Sequence, residues 1–467
     1  MTARILLALS LFAGFYLCGI GLVLALAWLP WAELRYTGSL APSGIAAGAG
    51  ALYILWALVP PRTRWVAPGV ELTTESQPAL HALIARVAAQ ARHPLPSAVY
   101  LVQEATAFAA GRPRWHGLRR DPVLGIGLPL FALFEEDELA AVLAHEFGHH
   151  AGGDVKLGPW QHRTFLAISA ALDRLDGSSV FLHLPFYAYG RVFLRLTGGA
   201  SREQELRADH LAARAISPGA LAGALVALER YHASWSAYWH EMFVPAVDAG
   251  FRPPMLDGYR RFLQATSPPD LSAATPRRAP SAHDTHPPLE VRLTALGVPL
   301  RSGRDNGRCP HLLQDVDGVE RLLLATLLTE ADSLHKLEPI AWEEWGARIA
   351  PATWQRLMHT RMTELKGIPL SWLPSLVDAE AVWWPRLSSG VNIYSPAARR
   401  RQLCAWLGHW VALSLLDDGF VVDSPPGAEV VLRRGAIRLE PFRWVEDLAS
   451  GARTADQWRH RCQEWSC

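Results

Sequence analysis

His145, Glu146 and His149 are the residues whose types and spacing most directly suggest chemistry. They stand in the order His145-Glu146-Phe147-Gly148-His149, an H-E-x-x-H pattern closing a run from Glu135 to Ala144 with helical character. On a helix, residues four apart share a face, so two imidazoles at this spacing can grip one metal ion. The glutamate between them then points at the ion's open position, where a water would sit. That is the layout of a zinc hydrolase holding one Zn²⁺ per chain, with Glu146 as general base. Two exposed histidines on an ordinary helix would produce the same five letters by chance, so the remaining parts of a site have to be found elsewhere.

A catalytic zinc needs a third protein ligand. The H-x-x-G-x-x-H extension that would supply a further histidine is absent: Gly152 fits it, but position 155 is Val. The other solution takes a glutamate from a second helix, and the segment from Ser201 to Ala213 offers Glu205, with Asp209 one turn later on the same face. Glu205 could ligate the ion while Asp209 accepts a hydrogen bond from the free N–H of a ligand histidine, fixing its tautomer. Glu203 is the competing ligand, and a solvated charged helix is the plain alternative. His150 and His210 fall off these faces.

The elements that must position these groups begin with a membrane part. The chain has 467 residues, enough for two or three domains, and 50% are hydrophobic against 19% charged. Residues 5–29 are almost wholly apolar and long enough to cross a bilayer. Residues 44–59 form a shorter apolar stretch containing Gly44-x-x-x-Gly48, a small-residue spacing that lets helices approach closely. Two transmembrane helices are expected, and the sparse bias of Arg4, Arg62 and Arg64 places both ends, and so the catalytic part, in the cytoplasm of a bacterial-type inner membrane. The rival reading makes residues 1–27 a cleaved signal peptide. A net charge of +1 invites no nucleic acid. The five cysteines are scattered without a C-x-x-C, which argues against a disulfide framework or a cysteine zinc knot. No feature sets an oligomeric state.

Beyond the anchor, Leu80, Leu83, Ile84 and Val87 fall on one face of a helix over 76–91. Residues 97–102 read as a strand, and 123–130 as another apolar run. Two further apolar stretches, 165–172 and 180–196, read as amphipathic helices packed over the site; Pro185 and Gly190 interrupt the second.

Several motifs in order resemble the integral-membrane zinc metallopeptidases of the HtpX and CaaX prenyl protease type, family 48 of the gluzincins. They are the H-E-x-x-H helix with Glu138-Leu139 and Val142-Leu143-Ala144 before it, the E-x-x-x-D pair Glu205 and Asp209, and Thr285-His286-Pro287-Pro288-Leu289 followed by Arg292-Leu293. Upstream, Ala107-Phe108-Ala109-Ala110-Gly111 is similar to the family's N-A-F-A-x-G segment, with Thr106 replacing the usual Asn. The likeness covers about residues 5–300. It implies that Ala107, Phe108 and Ala109 lie on a strand edge that pairs with a protein or peptide substrate. It also implies that His286 donates a hydrogen bond to the oxyanion and that Arg292 anchors that region on an acidic residue near the metal helix.

Residues 301–467 carry no catalytic motif. Helices are expected over 314–328 and 400–416, and short strands at 420–422, 429–432 and 436–439. Eleven of the 19 tryptophans fall here, and core packing is their plain reading. The whole reads as an α+β, mostly helical chain: a membrane anchor (1–67), a gluzincin-type metallopeptidase domain with a small sheet (68–300), and an α+β accessory domain (301–467). The expected function is zinc-dependent endopeptidase activity at the lipid bilayer. The alternative is a non-catalytic adaptor on a zinc-stabilised peptidase fold, acting through its C-terminal domain.

Overall fold

The computed structural model describes residues 2–59, 65–114, 119–151, 184–266, 287–299, 309–328, 331–388, 391, 393 and 395–465. The chain packs as two units, Met1–Glu229 with Asp270–Gln314, and Arg230–Pro269 with Asp315–Cys467.

In the first unit, α1 (Thr2–Thr37) and α2 (Pro42–Leu58) form an antiparallel hairpin. The segment Ser10–Thr37 is long and apolar enough to cross a membrane; α2 is a shorter apolar helix. Glu33 of α1 fastens the turn. Ala41 N–H and Ser43 Oγ each donate to its carboxylate at 2.9 Å, so a negative group meets the positive end of α2. Gly44 makes room for it, since a Cβ there would lie 2.0 Å from Glu33 Oε2, and Gly48 backs onto Pro30. At the other end of α2, Gly19 faces Leu58. The earlier turns of α1 are covered by the start of α6 (Leu184–Ala215). There Phe186 packs edge-on against Phe15 at 5.8 Å, and the Tyr189 hydroxyl donates to the Leu11 carbonyl.

A four-stranded sheet in the order β1-β2-β4-β3 follows: β1 (Val70–Glu71), β2 (Ala98–Val102), β3 (Ala107–Arg114) and β4 (Arg119–Gly127). β2 and β4 are parallel, and β1 and β3 flank them antiparallel. Every residue of β2 is buried. α3 (Pro78–Gln90) turns Leu80, Leu83, Ile84 and Val87 into the core, as the periodicity implies. α4 (Leu130–Leu133) leads into α5 (Glu136–Ala151), which carries the H-E-x-x-H residues and packs on α3, β3 and α6. Its first turn is acidic, and Glu138 accepts the Glu135 N–H at 2.9 Å, closing a helix start suited to the dipole.

The apolar stretch 180–196, read as interrupted at Pro185 and Gly190, and the segment Ser201–Ala213 prove to share one element over their described residues. α6 is one helix of 32 residues running through Gly190 and Gly198-Gly199. Each interior glycine costs a helix about 1 kcal/mol. Packing at both ends, on α1 at Phe186 and on α5 at Ala208, offsets that cost. The stretch 165–172, the Arg62 and Arg64 flank, and His286 lie outside the described residues.

In the second unit, a large core gathers Trp354, Trp406, Trp410 and Trp458 around the helix Pro396–Asp417, so these tryptophans are packing residues. A three-stranded meander, Val421–Val422, Leu432–Arg434 and Ile437–Leu439, adjoins it. The middle strand begins at the last residue of the expected 429–432 segment, because Gly435 at φ +60° makes the turn tight and pulls the register to Arg434↔Ile437.

Candidate metal centre

The site forms where α5 crosses α6. Gly148 is the point of closest approach: a Cβ there would stand 3.0 Å from the Ala208 Cα. That approach brings the face of His145 and His149 onto the face of Glu205 and Asp209. His145 Nε2 and His149 Nε2 lie 3.1 Å apart. Glu205 reaches both, with Oε2 at 3.6 Å from His145 Nε2 and Oε1 at 3.5 Å from His149 Nε2. A tetrahedral ion with bonds of about 2.0–2.1 Å holds its ligand atoms about 3.3 Å apart, so these separations, each imidazole to one Glu205 oxygen, are of the size zinc ligation calls for. Donor atoms of His145, Glu146 and His149 also all lie within 4.8 Å of one another, a set that does not include Glu205. Glu203, the competing ligand, pairs instead with Arg207 on the exposed side of the helix.

Asp209 lies behind the triangle with 0% exposure. His145 Nδ1 stands 2.9 Å from Asp209 Oδ1, which directs Nε2 towards Glu205. Arg292 donates to the same carboxylate twice, at 2.8 and 2.6 Å, in the bidentate fork that arginine makes with carboxylates. Arg292 is delivered by α8 (Leu289–Leu296), held against α7 (Pro218–Ala237) through Leu293, Ala222 and Val226 and ended by Gly297 at φ +68°. Burial alone would drive the His145 imidazole towards neutrality; Asp209 and Glu205, with Glu146 adding, outweigh it and raise its pKa to about 9. Burial likewise works against the Asp209 carboxylate, but Arg292 and then His145 hold it below the usual Asp range.

Among the described residues β3 is an edge strand of the sheet, and it packs beside α5. Gly127 N–H donates to Thr106 O at 2.7 Å, and with the register Ala107↔Ile126 this sets the alternation along β3. Phe108 and Ala110 turn their main chain to β4. Ala107, Ala109 and Gly111 turn theirs to the open side. The Phe108 ring occupies the space over Gly125, where a Cβ would clash at 2.3 Å.

Two contacts have no counterpart in the sequence analysis. His93, just after α3, stacks on Phe147 from the far side of α5 at 4.6 Å and 5°; nothing in the sequence pattern marks it. Gly148 had a signal, a glycine inside a helix, which usually reports a close packing contact. Gly148→Val should force α5 and α6 apart, costing about 1–3 kcal/mol by overpacking and lowering zinc retention. Gly148→Ala asks Ala208 to yield only slightly and should do much less. Thermal unfolding and zinc content of the two variants check this; equal zinc content in both would show that the crossing does not set the site.

Two histidines and a glutamate on crossing helices, beside a sheet with an open edge, are the donor set of one class of catalytic zinc sites. Residues 74–299 match the model of peptidase family M48. Protease HtpX of Cellvibrio japonicus (strain Ueda107) is 30% identical over 215 residues, 42% of this chain and 63% of that protein. Protease HtpX of Pseudomonas entomophila (strain L48) is 32% identical over 144 residues, 27% of this chain and 47% of that protein. The chain thus spans less than two thirds of the length of these relatives. No solved structure matches it. Residues 74–299 thus resemble peptidase family M48, and the relatives that match are proteases of the HtpX type.

Proposed function

We propose that this chain is a membrane-anchored, zinc-dependent metalloendopeptidase whose catalytic part faces the cytoplasm. In this reading residues 1–67 anchor it, 68–300 carry the chemistry and 301–467 form an accessory part. The observation that carries the reading is the convergence of His145 Nε2, His149 Nε2 and the Glu205 carboxylate, whose two oxygens lie 3.6 and 3.5 Å from the respective imidazoles, themselves 3.1 Å apart. These three residues would hold the zinc, which when bound supplies Lewis-acid activation of a water and of the scissile carbonyl. Glu146 accepts the proton of that water and returns it to the leaving amine. Asp209 keeps the proton of His145 on Nδ1, and Arg292 keeps Asp209 in place. A substrate peptide lies extended on the open side of β3, bonded to the main chain of Ala107, Ala109 and Gly111; Phe108 shapes the strand from its inner side. His286 is retained as the donor to the oxyanion on the strength of the T-H-P-P resemblance.

Metal analysis coupled to casein cleavage tests the assignment. The purified chain should carry about one zinc, lose cleavage on chelation and regain it with added zinc. Glu205→Ala should lose both metal and cleavage, since removing one of three protein ligands removes much of the metal's binding free energy. Full zinc content in Glu205→Ala would move the third ligand elsewhere.

A further inference from the structure

The C-terminal unit carries a face built of arginines laid on tryptophans. Trp384 and Trp406 stack at 5.5 Å and 21°. The Arg361 guanidinium lies 4.2 Å from the Trp406 ring centre and Arg399 lies 5.9 Å from that of Trp384. On the same helix, Glu380–Leu387, Arg386 covers Trp383 at 4.4 Å. Ala381, Val382, Pro385 and Arg386 of this helix are exposed, as are Arg400 and Arg401 at the start of the helix Pro396–Asp417.

Charge is segregated here. The unit as a whole holds 21 Lys and Arg against 23 Asp and Glu. Around these rings stand Arg361, Arg386, Arg399, Arg400 and Arg401 against Glu364, Glu380 and Glu446, a surplus of two positive charges. Glu364 pairs with Arg386 at 2.9 Å and Glu380 with Arg400 at 3.9 Å; neither reaches Arg401. The first turn of the helix Pro396–Asp417 has no acidic residue, so the helix dipole adds to the positive field.

We propose that this face docks on the headgroup layer of an anionic bilayer. Val382 and Trp383 would sit at the interface, and Arg386, Arg399 and Arg401 would meet lipid phosphates. Tryptophan favours the headgroup level because its apolar body and polar edge suit both sides of it. Arginine binds phosphate through its fork while its plane stays on an aromatic ring. The proposal rests on the reading of the chain as membrane-anchored. An anchored chain keeps the bilayer at high effective concentration, so a modest surplus of charge suffices.

The test uses the full chain in nanodiscs of phosphatidylcholine, with or without phosphatidylglycerol. Val382→Cys carries an environment-sensitive fluorophore, Cys18 and Cys467 are replaced by Ser, and the parent without Val382→Cys sets the background. Headgroup spin-labelled lipid should quench the label in anionic discs. About 0.5 M salt, which screens beyond a few ångström, should release it. Arg399→Gln and Arg401→Gln should each lower the docked-to-free ratio about fivefold, while Arg401→Lys retains it. Equal quenching in phosphatidylcholine alone, or none lost in both glutamine variants, overturns the proposal. Protection of the label by polyglutamate, with no quenching in either disc, also overturns it and assigns the face to an acidic protein. A chain that leaves the discs on gel filtration overturns the anchor reading itself.

Discussion

Glu146→Gln should retain about one zinc per chain and lose peptide hydrolysis by about 10²–10⁴-fold, the usual contribution of a positioned general base. The amide fills the same volume, so α5 and its crossing with α6 are undisturbed. It cannot take up the proton, and that is the only function removed. The experiment also separates two ligand sets. His145, Glu146 and His149 have donor atoms mutually within 4.8 Å, while Glu205 lies 3.5–3.6 Å from both imidazoles. If Glu146 were the ligand, Glu146→Gln would lose zinc together with activity, and Glu205→Ala would keep the metal. A Glu146→Gln variant that cleaves like wild type would remove the proposed mechanism altogether.

Asp209→Ala should weaken zinc binding about 10–100-fold, the range for losing the partner of a ligating histidine. It should also cost about 3–5 kcal/mol of stability, because it leaves the other half of a buried pair without its counterion. The Arg292 side chain is 12% exposed and that of Asp209 1%, so the pair is buried on both sides. Chelator competition reads the first effect and denaturant unfolding of the metal-free chain reads the second. Arg292→Met tells the contributions apart: it keeps the His145–Asp209 contact, so it should disturb stability more than zinc affinity. Wild-type zinc affinity in Asp209→Ala would reduce Asp209 to a stabilising residue.

The parts of the site legible in the sequence are those whose geometry is local. His145 with His149, and Glu205 with Asp209, are each one helical turn apart, and helix periodicity alone puts each pair on one face. The buried stripe of α3 was legible for the same reason. What brings the two pairs together is tertiary. The crossing depends on Gly148 meeting Ala208, and the continuity of α6 through Gly198-Gly199 depends on contacts at residues far apart in the chain. Local propensity breaks that helix, and packing restores it. The open edge of β3 was expected from resemblance, but which residues present their main chain there follows from one hydrogen bond, Gly127 to Thr106, that no sequence pattern encodes. Arg292 needed the motif context to be noticed, and its partner needed the fold.

α6 joins the residues packed on the hairpin to the residues of the metal triangle without a break. From Tyr189, bonded to the Leu11 carbonyl, to Glu205 is sixteen residues of one helix, or about 24 Å along its axis at 1.5 Å per residue. With the hairpin in a bilayer, this rod acts as a ruler. Under the proposed anchoring, the separation of the metal triangle from the Leu11 end of the hairpin is set by this helix and not by a flexible linker.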